Sequence, residues 1–548
     1  MKLISSSGGS RASNKHAAAK RRSGTARLSQ SPLRRDDTQD LPPVPAGETS
    51  SPAYPDRSRP ATWPSFDPGT VNSGRTGSDT GHADYPPVQD TRIVRDPSYL
   101  SQPAPEPDAA AAPYIPDAAA EKREKKRSRR KRRLIGWGIT LVTLVVLYFF
   151  CVYTNIPFIA NLRSLYIETA MTTMEHQWLA TYFIPMPVIR ETMEKLDHLE
   201  QQQDSMQSDW SGYSKVDSTD LPDIQKGDDS NTSGNSKQPD EVKPPEFWED
   251  PAHDFWNVYS EIDYDSFYAY ALEHEDSMYN EAGYLFIDEA DAGSDGTGIV
   301  TTNGDPVLSI DTQNGIVMVR LKGLEYEGVM AIVKDPKQVS VGIASHLGSY
   351  GSKVATIAEE NDAILAINAS GFEDDGGHGN GGTVYGLLYA DGMKYNGSAG
   401  GTYKAIYFDS NYRLNVRAYE SGLDIYNGVE FKPALVINGE AALSGSAGWG
   451  IQPRCAIGQT ENGSVLMIVI DGRQTHSVGI TVGDLANIFV GYGAVQAGNL
   501  DGGSSAVMYY NGRIITKPSG ADKVNGRYLP DAFIVKARSV VVGESGAQ

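Results

Sequence analysis

From Leu134 to Tyr153 the chain reads LIGWGITLVTLVVLYFFCVY, a run without a single charge. At ~1.5 Å per residue such a run matches a hydrocarbon core of roughly 30 Å, so it predicts a transmembrane helix. Beyond it, LRSLYIETAMTTMEHQWLATYFIP and VIRETMEKLDHLEQ repeat apolar residues at helical spacing, which predicts a juxtamembrane helical stalk over residues 154–203. From Gly315 the period changes. The short runs IVMVRL, GVMAIV, AILAIN, LVING, VLMIVID, AVMYY and AFIVKA alternate with Gly, Asn and Asp turns and read as strands. Two helical signals interrupt them, Val354–Asn361 before AILAIN and Val482–Tyr492 before NLDGGSS. The mixture predicts an α+β domain of sheet and helix, with its core at about residues 315–540 inside an outer region 251–548.

Composition changes the picture at two places. Residues 1–133 are rich in Pro, Ser, Ala, Asp and Arg and poor in aliphatic runs, so they predict a disordered tail ending in a basic run. Residues 204–250 are dominated by Asp, Ser, Asn, Lys and Pro and predict a flexible acidic linker.

Charge then orients the chain. The formal net charge is -20, of which residues 1–133 carry +9 and the remainder -29. Ten Lys or Arg fall between Lys122 and Arg133 and none between Leu134 and Leu162, which predicts a cytoplasmic N-terminus and an extracellular C-terminal domain at the plasma membrane. The apolar run starts more than a hundred residues into the chain, so it reads as an uncleaved anchor rather than a signal peptide. The basic run is accounted for as a topology signal, and no nucleic-acid partner is called for. Cys151 lies in the apolar run and Cys455 in the outer domain, which makes a bond between them sterically implausible.

Four loops carry candidate chemistry: Asn368–Phe372 (NASGF), Pro453–Gly458 (PRCAIG), Asp471–Gln474 (DGRQ) and Asn499–Ser505 (NLDGGSS). Asp471 follows VLMIVI and Asp501 precedes two glycines, so both carboxylates are expected at strand ends that converge on a cleft. Either Asp-Gly taken alone reads rather as a turn. Gly502, Gly503, Ser504 and Ser505 can turn successive N–H groups toward one anion, and Arg454 and Arg473 offer bidentate partners for phosphate oxygens or for a carboxylate. The loop is neither a P-loop nor a nucleophile elbow. His378 stands in GFEDDGGHGNGGTVYG beside Glu373, Asp374 and Asp375, which fits a lid, a metal site or a mobile loop. One His among carboxylates does not specify zinc or calcium, so the sequence requires no cofactor and leaves a divalent cation open.

Taken together, VMAIVKDPKQVSV, AINASGF, GNGGTVYGLL, PALVINGE, PRCAIGQ, VLMIVIDGRQ, GITVGDLANIFVGYGAVQAGNLDGGSSAVM and RYLPDAFIV resemble the phosphodiester glycosidase family in order and spacing, over about Val329–Val535. TAMTTMEHQWLATYF is similar to the segment that precedes this domain in bacterial membrane-anchored relatives. One departure stands out: Cys455 occupies the Thr position of the PRTAIG that the family leads one to expect.

The resemblance implies hydrolysis of the C1–O bond of a sugar 1-phosphodiester, within cell-envelope or exopolysaccharide metabolism. It assigns Asn368 to a substrate hydroxyl or phosphate. A phosphate monoester, with a second pKa of about 6, leaves as a stable anion, so charge stabilisation should outweigh protonation of the leaving group. Asp501 is then expected to face C1, with Asp471 as a partner base or as the group that orients Arg473. Arg454, Arg473, the Gly502–Gly503 N–H groups, Ser504, Ser505 and His378 are expected to contact substrate or phosphate. The other reading is a noncatalytic carbohydrate-binding or polysaccharide-assembly protein on the same domain, and the presence of Asp501, Asp471 and both arginines favours the enzyme.

Overall fold

The computed structural model describes residues 118–538 apart from 174–175, 214–220, 223, 227–245, 276 and 375–376. Most of the tail expected over 1–133, the middle of the expected linker and Asp375 lie outside the described residues.

Helix α1 runs Ala118–Tyr153. Its first half corrects one expectation: the basic run is helical and continuous with the apolar run, because AAAEKREKKRSRRKRR is made almost wholly of good helix formers. Within Lys122–Tyr153 an 18-residue stretch reaches a mean hydropathy of 2.3 with only 6% of it buried, so this helix is long and apolar enough to cross a membrane.

Three helices follow, α2 (Pro157–Met171), α3 (Trp178–Phe183) and α4 (Met186–Gln203). Proline opens α2 where its missing N–H costs nothing. Ile167, Ala170, Ala180 and Ile189 form a small core among the three helices. They do not stand apart from the domain as a stalk. Gly450 has φ +60, and a Cβ there would sit 2.5 Å from the Thr169 Cα, so glycine is what allows α2 to press on the domain. Further along, Glu200 pairs with Lys432 at 2.6 Å, and Gln203 Nε2 donates to the Ala434 carbonyl at 3.3 Å.

Both ends of the interval read as a linker are also docked. The buried Trp210 donates its indole N–H to the Leu414 carbonyl at 2.9 Å, and Ile224, Phe247 and Trp248 are buried. Averaged composition conceals such isolated aromatics, which is why the interval read as a tether.

The domain centres on a nine-stranded antiparallel sheet. Its strands run, in spatial order, Phe286–Asp288, Val307–Asp311, Ile316–Lys322, Glu327–Val333, Val465–Ile470, Arg454–Thr460, Ala494–Asn499, Ala434–Ile437 and Glu440–Ala441. The first two, with the aromatic helices before them, extend the core upstream of residue 315. VLMIVI is apolar at every position because both faces of its strand are covered. On one side lie Phe255, Phe267 and the helix Val482–Gly491, and on the other a five-stranded sheet that includes Ala363–Asn368 and Asp531–Lys536. A second five-stranded sheet, from Met393–Asn396 to Leu414–Arg417, was not foreseen. The runs read as strands are strands, the two helical signals form Val354–Glu360 and Val482–Gly491, and the fold is α+β.

Register brings the chemistry to one place. Arg454 pairs with Ile470 and Ala456 pairs with Asn499, so the start of one strand lies beside the ends of its two neighbours. The loops at 450–454, 471–474 and 499–505 therefore emerge at the same edge. The end of Ala363–Asn368 meets them there, since the Asp501 N–H donates to the Ala369 carbonyl at 3.1 Å.

Candidate active site

These loops enclose a cavity of about 630 Å³. Its polar floor holds Asp501, Arg454 and Arg473, and its walls include Phe372, Tyr385, Tyr403, Phe431 and Trp449. Aromatic faces suit the C–H faces of a sugar ring, and the arginine floor suits an anion.

The main chain of Asp501 is held on both sides, its N–H by Ala369 and its carbonyl by Asn368 Nδ2 at 2.6 Å. Its side chain is half-buried, crowded by protein yet open toward the cavity. Burial pushes the carboxyl up to about 7, against hydrogen bonds from Ser505 and the Gly502 N–H and the pull of Arg527, while Asp374 adds to the rise. Near neutral pH the group can therefore give or take a proton.

Arg454 is buried and donates only to carbonyls: Nη2 to Trp449 at 2.9 Å and Gly450 at 3.1 Å, and Nε to Ile480 at 3.5 Å. No carboxylate forms a salt bridge with it among the described residues. Burial and the neighbouring Arg473 bring it down to about 9, so it stays charged at pH 7. A buried cation balanced only by dipoles is stabilised by any anion that enters the cavity.

Arg473 takes φ +56 and points both Nε and Nη2 at Gln452 Oε1, at 3.1 and 2.7 Å. The buried Gln452 in turn donates Nε2 to the Thr169 carbonyl at 2.9 Å and to Thr173 Oγ1 at 3.0 Å. The C-terminal end of α2 thus holds Arg473 through one glutamine. Gly503, at φ +59, leaves room for this guanidinium, since a Cβ there would lie 3.2 Å from Arg473 Nη2.

Across the cavity Arg527 grips Asp374 with two parallel bonds of 2.6 and 2.8 Å and lies 4.8 Å over the Phe372 ring. Burial works to raise the Asp374 carboxyl, but the Arg527 pair and the Gly379 N–H hold it below the usual range. Asn499 lines the cavity with a buried Oδ1 that has no protein partner among the described residues.

Residues 361–536 match the phosphodiester glycosidase family. The chain carries a phosphodiester glycosidase domain. A Bacillus subtilis protein, the SPbeta prophage-derived uncharacterized protein YomE, is 31% identical over 191 residues, taking in 32% of this chain and 29% of that protein. The chain therefore spans under a third of the length of this curated relative. The catalytic domain of zebrafish N-acetylglucosamine-1-phosphodiester alpha-N-acetylglucosaminidase, auto-inhibited by its pro-peptide, is similar at 19% identity and a TM-score of 0.35, covering 41% of this chain and 82% of that one. A hypothetical protein from Synechocystis is similar at 15% identity and a TM-score of 0.30, covering 44% and 65%.

Within the phosphodiester glycosidase domain, Asp501, Arg454, Arg473, Gly502, Gly503, Ser504 and Ser505 line one cavity. Three other expected site residues do not. Asp471 is buried away from it, with Oδ2 at 3.1 Å from His476 Nε2 and Oδ1 accepting from the Lys517 N–H at 2.9 Å, so its carboxyl is engaged outside the cavity walls. Burial raises its pKa, opposed by those two partners. Asn368 is fully buried and bridges the Asp501 carbonyl and the Val507 N–H, so it supports the loop beneath the cavity and does not line it. His378 is exposed on its loop, outside the cavity walls.

The expected phosphate nest is also corrected. The Gly503 N–H donates to the Pro453 carbonyl at 2.9 Å, the Ser505 N–H to the Gly502 carbonyl at 3.1 Å and the Gly502 N–H to the Asp501 carboxyl, so these three donors are already engaged within the protein. Cys455, at the Thr position of the family pattern, is buried and donates its thiol to the Asn368 carbonyl at 3.2 Å, supporting the loop beneath the site. Both cysteines are free.

Gln452, Arg527 and Thr173 were not singled out, and Asp374 was named only as a neighbour of His378. Arg527 opens the recognised RYLPDAFIV and Gln452 precedes PRCAIG, so position beside a motif was the available signal. Thr173 lies within TAMTTMEHQWLATYF, a resemblance that marked the segment but not the residue.

Proposed function

We propose that this protein is a membrane-anchored extracytoplasmic hydrolase that cleaves the glycosidic bond of a sugar 1-phosphodiester in the cell envelope. The observation that carries this reading is Arg454, a buried guanidinium with only carbonyl partners, beside Arg473 and across from Asp501 in an aromatic-walled cavity. Arg454 and Arg473 take the phosphate oxygens, the aromatic walls take the sugar, and the Asn499 Oδ1 accepts from a sugar hydroxyl. Asp501 faces the anomeric carbon.

As the C1–O bond breaks, its electron pair leaves with the phosphomonoester, whose charge the two arginines stabilise. Ionised Asp501 stabilises the positive charge left on the sugar. Water adds to C1 and passes its proton to Asp501, whose pKa near neutrality suits both states. Helix α1 anchors the chain with its basic end in the cytoplasm.

Purified full-length protein incubated with a panel of sugar 1-phosphodiesters should release free sugar and phosphomonoester, and leave aryl glycosides lacking phosphate untouched. Saturable binding of those phosphodiesters with no product would overturn hydrolysis and point to a carbohydrate receptor.

A further inference from the structure

The helices that carry the wall of the cavity also present an apolar surface at the end of α1. Between Leu134 and Ile189 the only Asp, Glu, Lys or Arg residues are Arg163, Glu168 and Glu175. Two of these are turned inward. Arg163 Nη1 donates to the Cys151 and Thr154 carbonyls at 3.2 and 2.9 Å, satisfying acceptors at the C-terminal end of α1, and Glu168 is buried. What α2 and α3 expose instead is Phe158, Leu162, Trp178, Tyr182 and Phe183, with Met186 at the start of α4 beside them in sequence. Tyr182 is 79% exposed and Phe158 72%, far more than aromatic side chains with a protein partner show.

The position of this surface identifies what covers it. Tyr148, five residues before the end of α1, donates its hydroxyl to the Phe183 carbonyl at 2.8 Å. The aromatic end of α3 thus lies beside the last turns of the apolar helix, at the depth where a spanning segment passes from hydrocarbon to headgroups. Helices that turn their charges inward and present Trp, Tyr and Phe outward are suited to that interface.

We infer that α2 and α3 form a seat that lies in the outer leaflet of the bilayer crossed by α1, with Phe158, Trp178, Tyr182 and Phe183 immersed among the lipids. The inference rests on the reading of α1 as a membrane anchor. It brings the catalytic cavity into the same assembly, because Thr172 and Thr173, at the far end of α2, line that cavity. A helix of this length spans about 22 Å, so the cavity is held within roughly that distance of the headgroups. The phosphodiester it suits best is one attached to the membrane through its other alcohol.

The test uses the full chain in lipid nanodiscs, with Cys151→Ala removing the exposed thiol and Cys455 left buried. Single spin labels at Phe158→Cys, Tyr182→Cys, Leu144→Cys and Leu324→Cys are compared for relaxation by oxygen, which concentrates in lipid, and by a water-soluble nickel chelate. Labels at 158, 182 and 144 should favour oxygen several-fold, while the label at 324, on a fully exposed loop residue, should favour the chelate. Oxygen preference at 144 with chelate preference at 158 and 182 overturns the seat and leaves the anchor intact. Chelate preference at 144 overturns the anchor and the seat together. Dipolar broadening at 182 that vanishes on dilution with unlabelled protein assigns the surface to a second copy and likewise overturns the seat.

Discussion

Asn368 and Asp501 are joined by a 2.6 Å hydrogen bond from the Asn368 side-chain amide to the Asp501 main-chain carbonyl. The other end of the same amide accepts from the Val507 N–H at 3.1 Å, so one buried side chain fixes both flanks of the loop that carries Asp501. Asn368→Ala should lower kcat by about one to two orders of magnitude with little change in KM. It should also cost roughly 1–3 kcal/mol of stability, since it leaves buried backbone groups unpaired. Steady-state kinetics and denaturant titration check both, and a large rise in KM alone would return Asn368 to the substrate-binding role.

Asp501→Asn keeps the shape of the side chain and removes its charge. Loss of charge stabilisation at a cationic centre costs on the order of several kcal/mol, and each ~1.36 kcal/mol is tenfold in rate. Turnover should fall at least a hundredfold while calorimetric binding of the phosphodiester persists. Unchanged turnover by folded Asp501→Asn protein would reduce Asp501 to a turn residue.

Arg454→Lys retains a positive charge and loses the planar fork. The substitution should raise KM about tenfold or more and leave part of kcat, because an ammonium cannot span two phosphate oxygens in the same geometry. Arg454→Met should lose more. Equal KM values for wild type and Arg454→Met would place the phosphate elsewhere.

The buried carboxyls set a pH dependence of stability with a sign opposite to that of ordinary surface carboxylates. Asp501 is raised to about 7 and Asp531 to about 6, both mainly by burial. Between about pH 4 and 7 the folded state keeps protons that the unfolded chain has already released, so the contribution of these groups to stability falls as pH rises and levels off above 7. Thermal unfolding across that range should show Asp501→Asn losing less stability than wild type, most visibly above pH 6. A steeper fall in the variant would contradict this.

Asp471→Asn separates structure from chemistry. Its carboxyl serves His476 and the Lys517 N–H outside the cavity, so the variant should lose stability but keep turnover within about tenfold. A loss as deep as that of Asp501→Asn would restore Asp471 to the reaction.

Much of the scaffold was legible in the chain, and particular residues show why. VLMIVI and AILAIN lie on strands covered on both faces, so unbroken apolar runs marked them. FID and VLSID are short and partly polar, and the strands they form outside residues 315–540 left little signal. At the site, Asp501 and Arg473 drew attention because each follows a strand end, and Arg454 because it follows a turn and opens an apolar strand. Asp471 satisfies the same local rule and still faces away, since where a carboxyl points after a turn depends on tertiary packing that no dipeptide encodes. Thr173 is seen to matter only once Gln452 is placed against it.

The two docked ends of the interval 214–245 decide what a cut there would do. Tyr213 donates its hydroxyl to the Asn438 carbonyl at 2.6 Å on one side, and Phe247 and Trp248 sink into the sheet-covering layer on the other. A protease that severs the chain between them would divide it into two polypeptides without releasing the domain, because α2 and α4 grip it through Gly450, Lys432 and Ala434, and Trp210 through Leu414, independently of that connection. On the reading of α1 as an anchor, separating the domain from it requires a break before α2, in the three residues that divide the two helices. What looks in sequence like the strap of the molecule is therefore not what joins the domain to α1, and that role falls to Thr154–Ile156.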